Sequence, residues 1–507
     1  MKRIFLLIIL IVSSLSAQKG SDIPLVKIGP IVITKQEFLN RFEMMPGINR
    51  RKNDTEGSKA EFLLSMIAEK LLILKARNEG WDNDSIVNAA VREVEKVLVR
   101  DELFRKEVQQ KISISEQEIS AGMRRALNDM KVYFLYARTK EGAEFLLSQI
   151  RKGKPLETFS FTQDSLKEFE GPDSAIARFG DVDVRMEEVI YNLKLNETSR
   201  PVQLEDGWYL VKLMGKTVTV VVGDKEKKAV RERVESVIRK RKEQRRMTEY
   251  MNSELKNIRT DVNARLFKST VLRIWDAAQK KHPVRNDTTM FYVDHSIIDS
   301  LRVSLKDSLS LPFVTFPHTV WSLEKAMDKI VETNLATVNP TEKKIRVDME
   351  QRLRDLIDQE YLAQTGYRQG LHQSGAVRND LKVWRDSYLS QFVRNKTEDT
   401  VTVTQSELEE LRRVMRNDTS IVNNASAARK RMLQIKQTDL LDRVVGSVAN
   451  GTEITFYEKN FKEVQVTTAP SLVYRYLGFG GRMFAVPFVI PQTGWIKYWD
   501  NKDVKLP

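Results

Sequence analysis

Residues 131–137, KVYFLYA, and 207–213, GWYLVKL, bracket the part of the chain that decides its fold class. Val132-Tyr133-Phe134-Leu135-Tyr136-Ala137 is a compact apolar and aromatic run of strand type, and Gly207 opens a second such run. Between them, residues 142–151 have helical character, broken by Gly153-Lys154-Pro155. Strand, helix and strand in this order read as a small α+β domain over residues 131–216.

The flanks are helical. Upstream, Phe62, Leu63, Met66, Ile67, Leu71 and Leu74 recur at three- and four-residue spacing until Gly80. A second helix is expected over 84–110, and Ser115-Glu116-Gln117-Glu118 has the form of a capping box opening a third. Before them, residues 25–38 alternate in polarity, turn at Gly29-Pro30 and offer Thr34 as a helix cap. Residues 49–58, NRRKNDTEGS, read as a loop. Downstream, residues 225–255 form a long charged helix with an apolar stripe through Val230, Val234, Val237, Met247, Met251 and Leu255. Within it 238–246, IRKRKEQRR, is mostly basic; a solvated face accounts for it, and Arg239 to Arg246 also offer a surface for acidic lipid headgroups or an acidic client.

The same helical module occurs twice. Residues 65–81 (SMIAEKLLILKARNEGW) align without a gap on 355–371 (DLIDQEYLAQTGYRQGL), placing Gly80 on Gly370. Downstream, 112–119 (ISISEQEI) matches 401–408 (VTVTQSEL), strand-like residues running into a capping box in both. Upstream, Val320-Trp321-Ser322-Leu323-Glu324 stands where Ile33-Thr34-Lys35-Gln36-Glu37 stood. The modules cover residues 18–130 and 310–420. Residues 217–260 hold the long basic helix, 261–309 a connector, and 421–507 a C-terminal region in which 438–456 faintly resembles 142–159, as a decayed copy of the small domain would. The whole reads as a multidomain, helix-rich α+β chain with hinges near 130, 217 and 285.

Composition narrows the chemistry. The 507 residues carry 83 Lys+Arg against 69 Asp+Glu, a net charge of +14, with 41% hydrophobic and 30% charged residues. Zero cysteine removes disulfides, thiolate metal sites and a cysteine nucleophile. The four histidines (His282, His295, His318, His372) all lie beyond residue 281, so neither a metal nor a cofactor is expected. Met1-Lys2-Arg3, then the apolar run 4–12 (IFLLIILIV) and a small-residue exit, has the build of an export leader cleaved near Ala17. Loss of Lys2 and Arg3 with it takes +14 to +12. Export argues against nucleic acid as a partner, and the missing thiols suit an oxidising compartment.

In this order of parts the sequence resembles the periplasmic SurA/PpiD-type chaperones, which carry a parvulin-type peptidyl-prolyl cis-trans isomerase (rotamase) domain. The parvulin likeness covers residues 131–216. Its best match is Glu197-Thr198-Ser199-Arg200-Pro201-Val202 followed by Asp206-Gly207-Trp208-Tyr209-Leu210-Val211-Lys212. The likeness of the helical modules to that group's chaperone domain is looser.

The resemblance implies a groove of two His, a Met, a Phe and a Cys or Asp that lowers the ~18–20 kcal/mol barrier of X-Pro rotation. Here Phe134 and Tyr209 stand at the His positions, Val182 at the Met position and Met186 at the Phe position; only Asp164 keeps the family's type. With Phe179 these residues form the candidate groove, Asp164 being the one catalytic candidate. The expectation is a periplasmic folding chaperone (holdase) whose parvulin-like domain binds X-Pro or extended segments and isomerises them weakly or not at all. An active isomerase and an adaptor subunit of an envelope complex are the alternatives. The family's clients, unfolded outer-membrane protein precursors, are implied by the resemblance alone. Met44, Met45, Trp81, Trp384 and Tyr388 are client-contact candidates on the helical modules. Glu187-Glu188 and Asp358/Glu360 read as solvated helical surface.

Overall fold

The computed structural model describes residues 23–44, 54–161, 168–221, 223–256, 258–283, 288–467 and 473–501. The expected leader, Met45, loop residues 49–53 and Asp164 lie outside the described residues. The protein is a multidomain α+β chain of two compact units, residues 1–104 with 259–507, and residues 105–258.

The first unit begins with a hairpin, β1 (Pro24–Ile28) and β2 (Ile31–Thr34), turning at Gly29 with φ +52°. The Thr34 hydroxyl accepts from the Glu37 amide and opens α1 (Lys35–Glu43). Next comes α2 (Thr55–Asn78), buried along most of its length, then Gly80 in the left-handed region, a short turn, and α3 (Ser85–Glu107).

The second unit contains α4 (Glu116–Ala126), capped by the reciprocal Ser115–Glu118 box, and an antiparallel sheet. Its strands β3 (Asn128–Ala137), β4 (Phe169–Ala177), β5 (Val202–Gln203) and β6 (Trp208–Val218) run in the order β4-β3-β6-β5. Strand alternation sends Leu135, Ala137 and Leu210 to one face, under Ala143, Leu146 and Leu147 of α5 (Lys140–Arg151). Met130, Val132 and Val211 go to the other, under Met186 and Ile190 of α6 (Val184–Asn192). The long helix α7 (Asp224–Leu255) packs on α4, close enough that a Cβ on Gly122 would meet Val234 at 2.6 Å.

The chain then returns to the first unit through β7 (Asp261–Val262), α8 (Ala264–Lys281), β8 (Met290–Tyr292) and α9 (His295–Ser304). A second hairpin follows, β9 (Pro312–Thr315) and β10 (Val320–Ser322), then α10 (Leu323–Glu332), β11 (Ala336–Val338), α11 (Glu342–Arg368), α12 (Gly375–Glu398) and α13 (Gln405–Val414). The last elements are α14 (Ala425–Asn450), β12 (Ile454–Phe456), β13 (Tyr474–Tyr476) and β14 (Arg482–Phe484).

The repeat is carried into three dimensions. Gly80 sits at φ 72°, ψ 16° after α2, and Gly370 at φ 71°, ψ 15° after α11, each followed by a 3-10 turn and the next helix. The box at Ser115/Glu118 is matched by the one at Thr404/Glu407. In each, a lysine from the later helix bonds the box glutamate and a carbonyl two residues before the cap: Lys242 to Glu118 and Ser113, Lys436 to Glu407 and Thr402. The small sheet domain is therefore an insertion between α4 and α7 that the second copy lacks.

The two copies exchange strands. β12, which follows the last helix of the second copy, pairs with β1 of the first. β7, which follows the last helix of the first, pairs with β9 of the second. One edge of each hairpin is thereby paired, and β2 and β10 stand at the other edge. Apolar faces of the two copies are buried on each other: Leu63, Met66 and Ile67 share one core with Leu389, Val393, Leu441, Val445 and Trp495.

Three expectations need correction. The stretch 261–309 is not a bare connector: β7 and β8 pair with distant strands, and Phe291, Ile298 and Leu301 are buried in a core with Trp321 and Met327. Its strands, of two and three residues, are too short for alternation to register, whereas α8 is an 18-residue helix that the expectation of a connector passed over. In 421–507, α14 and β12 complete the first unit's own core and sheet, and a β13–β14 hairpin follows. The division falls at 104/105 and 258/259 because α4 and α7 pack on each other and stay with the sheet domain.

Candidate functional site

The face of the sheet under α6 gathers four of the six groove candidates. Phe134 on β3 and Tyr209 on β6, both half-buried, pack with Val182 and with buried Met186 on α6 around the Met130–Val132–Val211 core. The rings of Phe134 and Tyr209 lie 6.2 Å apart, and Tyr136 and Tyr209 5.3 Å apart. Antiparallel register explains the grouping: Phe134 stands opposite Val211 and Tyr136 opposite Tyr209, so residues two apart on each strand share this face.

Phe179 is placed elsewhere. It is buried against α4 and α7, with the Arg241 guanidinium 5.1 Å from its ring centre and a Cβ on Gly122 only 3.2 Å from its ring. Asp164 lies outside the described residues. Val182 also lines a cavity of about 790 Å³ with Val184, Val237, Lys240, Arg241 and Arg245, an apolar floor beside a basic wall.

The polar chemistry of the groove centres on Asp206, which the sequence did not single out as a site residue. The Tyr209 hydroxyl donates to Asp206 Oδ2 at 2.6 Å, and the Tyr136 hydroxyl to the Asp206 carbonyl at 2.6 Å. Gly207 permits this, since a side chain there would collide with the Tyr136 ring. Burial, then the bond to Asp206, pushes the Tyr209 phenol above the ordinary tyrosine range, so it stays protonated at neutral pH. The groove thus offers apolar surface and two tyrosine hydroxyls fixed on Asp206, and no histidine among its described residues.

No family model matches the chain, and no curated protein matches it. Solved structures do. The peptidyl-prolyl isomerase PrsA of Bacillus anthracis is 16% identical, covering 37% of this chain and 96% of that one, with a TM-score of 0.20. The foldase PrsA of Streptococcus pneumoniae is 14% identical, covering 44% and 87%, with a TM-score of 0.21. PrsA of Bacillus subtilis is 16% identical, covering 44% and 88%, with a TM-score of 0.13.

Glu187 corrects the reading of Glu187-Glu188 as solvated surface. It is fully buried, bonded to Arg241 at 3.0 and 2.6 Å, to Arg125 at 3.4 Å and to the Gly180 amide at 2.8 Å. Glu360 is likewise buried and pairs with Lys96 at 3.0 Å. The basic run on α7 is partly engaged through Arg241, Lys242 and the Arg246 bond to the Glu107 carbonyl, leaving Arg239, Lys240 and Arg245 exposed.

Of the client-contact candidates, Trp81 packs on Phe392 with Lys396 4.1 Å above its ring. Trp384 and Tyr388 line an open cavity of about 830 Å³ in the first unit. Among the described residues no helix is long and apolar enough to cross a membrane, and no group of three or more metal-ligating side chains is assembled.

Proposed function

We propose that the protein is an exported folding chaperone that holds unfolded polypeptides, with a parvulin-like domain that binds extended or proline-containing segments and isomerises them weakly. The observation that carries this is the groove itself. Phe134, Val182, Met186 and Tyr209 share one sheet face, where they supply apolar contact, and the hydroxyls of Tyr209 and the neighbouring Tyr136 are committed to Asp206. Such a surface can hold a proline ring, but it lacks the paired histidines that the resemblance leads one to expect.

The open aromatic cavity beside Trp384 and Tyr388 supports a second client surface on the first unit. The leader-like N-terminus supports export, and the mature charge of +12 favours acidic clients at long range. Unfolded outer-membrane precursors in the periplasm are the clients this reading implies, and Arg239, Lys240 and Arg245 are the surface available for acidic headgroups.

The test uses the full chain in two assays. Suppression of aggregation of several unrelated denatured proteins is expected, together with slow or absent X-Pro exchange by NMR. Robust turnover abolished by Tyr209→Ala establishes an active isomerase instead, and suppression confined to one protein establishes an adaptor.

A further inference from the structure

The open cavity by Trp384 and Tyr388 continues into a second one of about 670 Å³; Glu93, Val97, Glu332, Arg482 and Met483 line both. The ends of this groove differ in chemistry. At one, Val94, Trp384, Tyr388, Tyr474 and Phe484 present apolar and aromatic surface. At the other, the wall carries the cations Lys96, Arg100, Lys329, Arg352 and Arg482 against the carboxylates Glu93, Glu332 and Glu360.

Pairing within the wall leaves positive charge over. Lys96 pairs with Glu360 and Lys329 with Glu93. Arg100 is buried and bonds through Nη1 only to the neutral Gln359 side chain, at 3.0 Å. Arg482 is exposed, its guanidinium 4.7 Å from the Tyr474 ring centre. Neither arginine has a carboxylate partner among the described residues. Arg352 reaches Asp355 only at 3.9 Å. Three buried donors on lining residues, Arg100 Nε, Arg352 Nε and Trp321 Nε1, also have no acceptor among the described residues. A buried cation without an anion is costly, and its low-dielectric surroundings strengthen the pull on one. Burial lowers the Arg100 guanidinium to about 10, more than the nearby Asp101 and Glu360 carboxylates offset.

We propose that this groove binds a client segment bearing a carboxylate beside an aromatic side chain, with the carboxylate at the Arg100–Arg482 end and the ring between Trp384, Tyr388 and Phe484. The inference rests on the chaperone reading and gives its client surface a specificity. The carboxylate can come from an acidic side chain or from a chain terminus.

Fluorescence anisotropy of the full chain with four short labelled peptides tests it. One ends in phenylalanine with a free carboxylate, and the second is its amide. The third is amidated and carries aspartate beside an internal phenylalanine. The fourth replaces the phenylalanine of the first by alanine. At least one acidic aromatic peptide should bind about tenfold tighter than the second, the gain of a charge-assisted hydrogen bond, and about tenfold tighter than the fourth, which has lost the buried ring. Which of the first and third does so identifies the source. Arg482→Gln, at an exposed position, should reduce the preference to less than about twofold, as should Arg100→Met. Equal binding of acidic and amidated peptides, or a preference that Arg482→Gln leaves intact, overturns the inference. Aggregation suppression measured in parallel separates the two claims. Suppression without carboxylate preference removes only the groove's specificity. Preference without suppression supports the groove and removes the chaperone reading.

Discussion

Lys96 and Glu360 face each other at 3.0 Å where α3 crosses α11. Shifted by the 290 positions that carry Ser65 onto Asp355, Lys70 falls on Glu360 and Lys96 on Asp386, and Lys70 and Asp386 meet at 3.2 Å where α2 crosses α12. The two crossings are the same contact made twice between the copies, with the signs exchanged. The charges therefore help specify which helix of one copy meets which helix of the other.

That pairing predicts a charge-swap cycle. Lys96→Glu alone sets two carboxylates together and should lower the stability of the first unit by about 2 kcal/mol. Adding Glu360→Lys should restore most of it. Urea unfolding of the full chain measures both; a double variant no more stable than the sum of the singles refutes the coupling.

Arg41 and Glu69 make a buried bidentate pair at 2.6 and 2.8 Å, and Arg41 also bonds the Pro487 carbonyl. Burial alone would raise the Glu69 carboxyl, but the adjacent guanidinium holds it below the usual range. Glu69→Ala strands Arg41 in the core and should cost about 3–5 kcal/mol. A loss below about 1 kcal/mol in the same unfolding experiment would show that Arg41 finds another partner.

Glu187 ties α6 to α4 and α7 through Arg125 and Arg241. Glu187→Gln keeps the shape and removes the charge. The cost should be about 3 kcal/mol, at the low end for a broken buried pair because both arginines still reach water. Hydrogen exchange should show it as lost protection in α6 and α7, with the first unit unchanged. Uniform loss across the chain would contradict a local tie.

The sequence made some of this legible. Both capping boxes, the Gly80/Gly370 match and the strands around Phe134 and Tyr209 were readable because each depends on neighbours within a few residues or on simple alternation. The strand exchange was not, since β7 and β12 are short and pair across more than fifty and more than four hundred positions respectively, leaving no local pattern. Nor was the burial of Glu187 and Glu360: a glutamate on a charged helix looks the same whether it meets water or a distant arginine or lysine. Phe179 was misassigned for a related reason, because an aromatic near the groove in sequence is drawn instead to α4 and α7.

The paired boxes give the two units the same acid response. Glu118 is brought down to about 2 by the Lys242 ammonium and then the Ser115 amide, and Glu407 to about 2 by Lys436 and Thr404. A carboxylate whose folded pKa lies below its ordinary 4.5 adds stability that is fully present above pH 4.5 and lost as pH falls toward 2. Glu118→Gln and Glu407→Gln should therefore each be less stable than the parent at neutral pH, and each gap should close as pH drops through that window. Melting curves taken from neutral pH down to about 2 follow the gap, and exchange protection assigns it to α4 for the first variant and α13 for the second. A gap that stays constant across the range would mean that the glutamates act through shape and backbone bonding, with their charge contributing nothing to either cap.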